Sequence, residues 1–290
     1  IVLLTNVSRI QLKKLHPGIS ISYIPSARIK ELRSEITSDL GDSFWTYTSL
    51  RFFVLRDHIL NYKCSRFFHA ELDNVIFPLE NLHHRLDNVG NGLFVPRDSK
   101  DRAIASLVYC NNIASLMLLC ELYGKQHIKN DMHALGIFAE LHNNDFFSLP
   151  TESFNVNQHL FDIVSPDLCG GIFDAAAVGQ YLFGIDPRHN KYKPTLNQFI
   201  NENSKGDWNK ITFAIDKRER VVLGNLPAGD QICNSVALYN LHLHSKSPYL
   251  LSNVLNGKYP CKYILQNKQY VVTKHYLILL GPFLRIADFF

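Results

Sequence analysis

The chain has 290 residues, 46% apolar and 19% charged, with a formal net charge of +4. That balance describes an ordinary globular protein large enough for a sizeable core, and no Lys/Arg run supplies the footprint of a nucleic-acid binder. Nothing approaches the ~18 apolar residues of a membrane span; the closing residues 283–290 read as a packing helix or a surface anchor, which leaves peripheral membrane contact open.

The 13 histidines make the true charge depend on pH. The six cysteines are scattered without a C-x-x-C pair, most in apolar surroundings. They read as buried thiols of a reducing, cytoplasmic or cytoplasm-facing compartment, although an even count leaves disulfides open. The opening residues 1–5 carry no initiator Met and no charged leader, so they read as a fragment cut just before a first strand.

Residues 1–5 form an apolar run ending at Asn6, a buried strand. Residues 19–24 alternate, with Ile19, Ile21 and Tyr23 opposite Ser20 and Ser22, a second strand closed by Pro25. Residues 26–40 space Ile29, Leu32 and Ile36 as a helix does. Residues 49–62 predict a stronger helix, capped by Ser49, with Leu50, Phe53, Val54 and Leu60 on one face.

The run Phe67-Phe68-His69-Ala70-Glu71-Leu72-Asp73 then ends in two carboxylates. Residues two apart on an extended chain point to one side, so Glu71 and Asp73 face one spot at a strand end. Paired oxygens of this kind suit a hard divalent cation, Mg²⁺ or Mn²⁺, that keeps open positions for phosphates. The plainer reading is a turn with two solvated acids.

Residues 81–100 look irregular and read as a surface excursion. Residues 103–109 predict a strand and 113–123 an apolar helix ending at Gly124. Asn130-Asp131-Met132 opens another helix running to about His142. Residues 169–203 are rich in small residues, which permits close approach of backbone to a ligand. Residues 212–216 and 220–223 predict a hairpin, and 235–244 a final strand. The alternation of strands and helices with short connections implies a single α/β domain over 1–290.

The order of these features resembles the nucleotide-sugar glycosyltransferases of the GT-A fold. The pieces that carry the likeness are Leu55-Arg56-Asp57-His58, Glu71-Leu72-Asp73, Asn130-Asp131-Met132, the segment 173–187, and Asn240-Leu241-His242-Leu243-His244-Ser245-Lys246. The resemblance implies a GT-A-like (Rossmann-like) α/β fold with a mixed, largely parallel sheet flanked by helices. It also implies a metal-dependent enzyme that moves a sugar from a UDP- or GDP-linked donor to a glycan or other hydroxyl acceptor, with retention favoured by analogy.

In that family a D-x-D motif holds the metal; here Glu71 replaces the first Asp, leaving Asp73 the safer ligand. By the same resemblance His242 and His244 are metal candidates, with His244 favoured. Lys246 is placed on the donor phosphates. Arg56, Asp57 and Asp174 are candidates for donor binding, and Asp131 and Gln180 for catalysis. Plainer roles stay open for several: a surface ion pair for Arg56, a pairing with Arg51 or Arg56 for Asp57, a helix cap for Asp131, a core residue for one histidine.

Two rivals remain on the sequence. A nucleotidyltransferase or phosphoesterase would share the acidic pair but need more carboxylates for a second metal. A non-catalytic carbohydrate-binding module would keep the fold and bind no nucleotide. No phosphate-loop, dinucleotide or serine-hydrolase motif occurs.

Overall fold

A computed structural model describes residues 2–5, 20–79, 81–151, 164–179, 212–216, 221–228 and 231–243. The expectations for residues 244–290, among them the closing helix, lie outside these. The architecture is mixed α/β, and no described helix is long and apolar enough to cross a membrane.

Strands β1 (Val2–Thr5) and β2 (Ser20–Tyr23) pair in parallel. Helix α1 (Ser26–Ser34) follows Pro25, which is extended and ends the strand. Helix α2 spans Ser43–Tyr62 and begins earlier than expected, because the Asp42 carboxylate accepts from the Phe44 N–H and caps it. Ser49 is therefore no cap; it is buried inside the helix. Leu50, Phe52, Phe53 and Ile59 face the core and Val54 packs against it, while Leu60 is half exposed, so the expected face holds except at Leu60, where Ile59 takes the buried position.

The central sheet contains β3 (Phe67–Ala70), β7 (Leu107–Cys110), β5 (Leu93–Ser99) and β6 (Arg102–Ala103) in that order. Strand β8 (Phe146–Leu149) adds to β5 in parallel, and β3–β7, β7–β5 and β5–β6 are antiparallel. Strand β7 reads Leu-Val-Tyr-Cys and is buried on both faces. Val108 and Cys110 join Leu93 and Val95 against α2 and the helices α4 (Ile113–Lys125) and α5 (Asp131–Leu141). Leu107 and Tyr109 join Phe94, Phe173 and Tyr239 on the other side, with α3 (Leu82–Asp87) and the short α6 (Pro166–Cys169).

The region 81–100 is thus no surface excursion. It supplies α3 and β5, with Leu82, Leu86, Leu93, Phe94 and Val95 all buried. Pro96 and Asp98 argue locally against a strand, yet Pro96 keeps its carbonyl in use, accepting from the Ile104 N–H at 2.8 Å. The strand expected at 103–109 divides into β6 and β7, and the expected hairpin is present as β9 (Thr212–Asp216) and β10 (Val221–Ala228).

The expected final strand also divides. Strand β11 (Gln231–Leu238) pairs with β10, whereas β12 (Asn240–His242) crosses to β4 (Asn74–Ile76). That crossing sets His242 opposite Asn74. Cys64, Cys110, Cys120 and Cys169 are free thiols. Burial pushes the last three up to about 12, so they are inert at neutral pH.

Candidate metal centre

Strand β3 stops at Ala70, and the chain turns at once, the Asn74 N–H donating to the Glu71 carbonyl at 3.2 Å. Leu72 points outward at 67% exposure while the acids on either side turn inward. A tight turn, and not strand alternation, is what aims Glu71 and Asp73 at one place. Across from them β12 delivers His242, and the Leu243 N–H fastens the pairing by donating to the Asp73 carbonyl at 2.7 Å.

The His242 Nε2 lies 3.2 Å from Asp73 Oδ1 and 3.3 Å from Glu71 Oε2. One ligand atom from each of Glu71, Asp73 and His242 falls within 4.8 Å of the others, so the three could hold one ion. The side chains are 12% to 28% exposed, which leaves an open side.

The other Glu71 oxygen, Oε1, is taken by Arg51 of α2, whose second nitrogen pairs with Asp131 Oδ2. Thr48 donates to the remaining Asp131 oxygen at 3.1 Å. Asp131 is therefore no cap; the cap of α5 is Asn130, whose side chain accepts from the His133 N–H at 2.8 Å. One guanidinium thus fixes the rotamers of two acids and leaves Glu71 Oε2 turned toward His242.

The expected cations and acids of α2 fall elsewhere. Arg56 pairs with Glu35 at 2.8 Å and lies over the Phe53 ring, while Asp57 pairs with Arg28. Asp174 is fully buried, and among the described residues its carboxylate meets backbone N–H groups: Ala177 and Val178 on Oδ1, Gly179 and His242 on Oδ2. Burial pushes its carboxyl above the ordinary value, against the pull of those donors. Gln180, His244 and Lys246 lie outside the described residues.

The close approach expected of the small residues is real, but its partner is this chain itself. A Cβ on Gly179 would stand 1.7 Å from the His242 carbonyl oxygen, and one on Gly171 would stand 2.6 Å from that of Ala237. Arg51 and Asn240 escaped the sequence reading as parts of the site. Their signal was present: each is a single polar side chain inside an apolar run, Leu50-Arg51-Phe52-Phe53 and Leu238-Tyr239-Asn240-Leu241.

Burial opposes a charge on His242, but the hydrogen bond to Asp73 and the charges of Glu71, Asp73 and Asp174 outweigh it and raise its pKa to about 9. His69, two residues before Glu71, is the reverse case. Burial, then the charge of Arg51, pushes it down to about 3, and its Nε2 finds no hydrogen-bond partner among the described residues.

Linkage gives these two imidazoles opposite pH dependence. The His242 contribution is complete below the unfolded value of ~6.5 and is lost as pH rises through about 9; that of His69 is complete above ~6.5 and is lost as pH falls toward 3. In chelator, melting temperature should decline on both sides of neutrality. His242→Gln should flatten the alkaline limb and His69→Gln the acid limb. Limbs unchanged in both variants would refute the assignment.

No family model matches the chain, and no curated protein matches it. Among solved structures, the apo crystal structure of mouse Xyloside xylosyltransferase 1 shows a likeness at a TM-score of 0.33 and 12% identity, over 53% of this chain and 75% of that one. A likeness that slight says nothing of what this chain does.

Proposed function

We propose that this chain is a metal-dependent glycosyltransferase that moves a sugar from a UDP- or GDP-linked donor to a glycan or other hydroxyl acceptor. The observation that carries the reading is the convergence of Glu71 and Asp73 with His242, contributed from 169 residues beyond Asp73. Two carboxylates and one imidazole, open on one side, match a divalent ion that keeps positions for phosphate oxygens. The imidazole favours Mn²⁺ over Mg²⁺, which prefers an all-oxygen shell.

When bound, the ion neutralises the charge that develops on a diphosphate leaving group. Around it the chain's own groups divide the work. Arg51 orients Glu71 and is itself held by Asp131, whose two oxygens are engaged by Arg51 and Thr48 and which therefore acts through that pair and not on the sugar. Lys246 meets the phosphates, Gln180 the sugar, and His244 is a further ligand candidate. Arg56 and Asp57 keep structural ion pairs.

A two-metal phosphate enzyme fits less well. Among the described residues, the remaining nearby acids are engaged, Asp131 by Arg51 and Asp174 by backbone donors. A thermal-shift panel of nucleotide sugars with and without Mn²⁺ tests the reading. A matching donor at about 100 times its dissociation constant should stabilise by about 2.7 kcal/mol, and only with metal. Shifts of the same size with plain nucleotides, or with no metal, would overturn it.

A further inference from the structure

The loop 174–179 presses on β12 from the side opposite the acidic turn, and its contacts concentrate on one residue. The His242 N–H donates to Asp174 Oδ2 at 2.9 Å, the same oxygen that accepts from Gly179 at 2.9 Å. Gly179 also lies so close to the His242 carbonyl that no side chain fits between them. The His242 N–H is therefore tied to this loop and its carbonyl lies against Gly179, while its neighbour Leu243 is tied to Asp73.

The loop is itself anchored. Asn240 Oδ1 accepts from the Asp174 N–H at 3.0 Å, and the Asp174 carbonyl accepts from Ser106 at 2.7 Å. The Asn240 amide also donates to Asn74, the residue next to Asp73, at 2.9 Å. A carboxylate with four N–H donors on two oxygens has no lone pair directed at a ligand.

We propose that Asp174 is a positioning residue that sets the backbone of His242, and through it the imidazole, against Glu71 and Asp73, without touching donor or ion. The inference rests on the metal reading for its purpose, but not for its geometry. Outer partners of metal ligands typically change affinity by about 10- to 100-fold, and the effect here should pass through His242 alone.

Two measurements on the full chain test this. In Asp174→Asn an oxygen that accepts two N–H groups becomes an NH₂ and the negative charge is lost, so amide exchange over residues 239–243 should accelerate by roughly 10- to 100-fold, while β7 keeps its protection. Unchanged exchange at 239–243, or equal acceleration everywhere, would overturn the proposal.

Mn²⁺ affinity, read by electron paramagnetic resonance, should weaken by about 10- to 100-fold in Asp174→Asn. In a His242→Ala background the same substitution should add nothing further; an additive loss overturns the proposal. A wild-type chain that binds no Mn²⁺ refutes the metal reading, and the exchange measurement then decides the role of Asp174 alone. Should Asp174→Asn fail to fold, Gly179→Ala displaces the same backbone and must give the same selective exchange.

Discussion

Asp73→Asn is expected to abolish metal-dependent turnover of a nucleotide-sugar donor while the chain stays folded. The carboxamide has the carboxylate's shape, so the turn at 71–74 and its pairing with β12 have no steric reason to change. What disappears is one negative charge and one hard oxygen ligand of the three that converge. Loss of a direct ligand should exceed the ~10- to 100-fold effect of outer partners on metal affinity. Mn²⁺ affinity, donor hydrolysis and the melting curve in chelator together read the result. Full hydrolysis by the variant, or by the wild type in excess chelator, would defeat the assignment.

Arg51→Ala should be strongly destabilising. The Arg51 side chain is 16% exposed and faces Glu71 at 22% and Asp131 at 4%. Burial disfavours its charge, but Glu71 and Asp131 more than compensate and hold the guanidinium protonated. Removing the cation leaves two acids facing each other with little solvent, a loss of about 3–5 kcal/mol by comparison with other broken buried pairs. Arg51→Lys keeps the charge but not the fork, so it should fall between the two.

Arg51→Met combined with Glu71→Gln and Asp131→Asn should recover much of the loss, because no unpaired charge remains. Denaturation in chelator checks all three. A stability for Arg51→Ala within about 1 kcal/mol of wild type would place it among ordinary surface pairs and refute the bridge.

Much of this was legible in local pattern. Asn130-Asp131-Met132 opens α5, the hairpin at 212–223 is present, and the acid pair lies at the end of β3. The failures have physical causes. Asp42 outcompetes Ser49 as the cap of α2 because a helix starts wherever its first free N–H finds an acceptor. Strand β5 hides behind Pro96, Arg97 and Asp98, and the burial of the two charged residues is made tolerable by partners across the β5–β6 turn: Arg97 donates to the Ser99 carbonyl at 3.0 Å, and Asp98 pairs with Arg102 at 2.6 Å.

The site follows the same rule. The acid pair announces itself by spacing, but nothing local selects His242 as its partner. That choice comes from β12 leaving β11 to pair with β4. Arg51 was similarly visible as a charge amid apolar neighbours, while its two partners lie 20 and 80 residues away.

The separation of 169 residues between Asp73 and His242 has a consequence for biosynthesis. At ~5–20 residues per second, the ribosome delivers the imidazole roughly 10–30 s after the acids. Through that interval a nascent chain carries two carboxylates and a guanidinium with no third corner to their pocket. On the proposed metal reading, ion capture would mark a polypeptide elongated past His242, and Mn²⁺ retention would separate finished products from prematurely terminated ones.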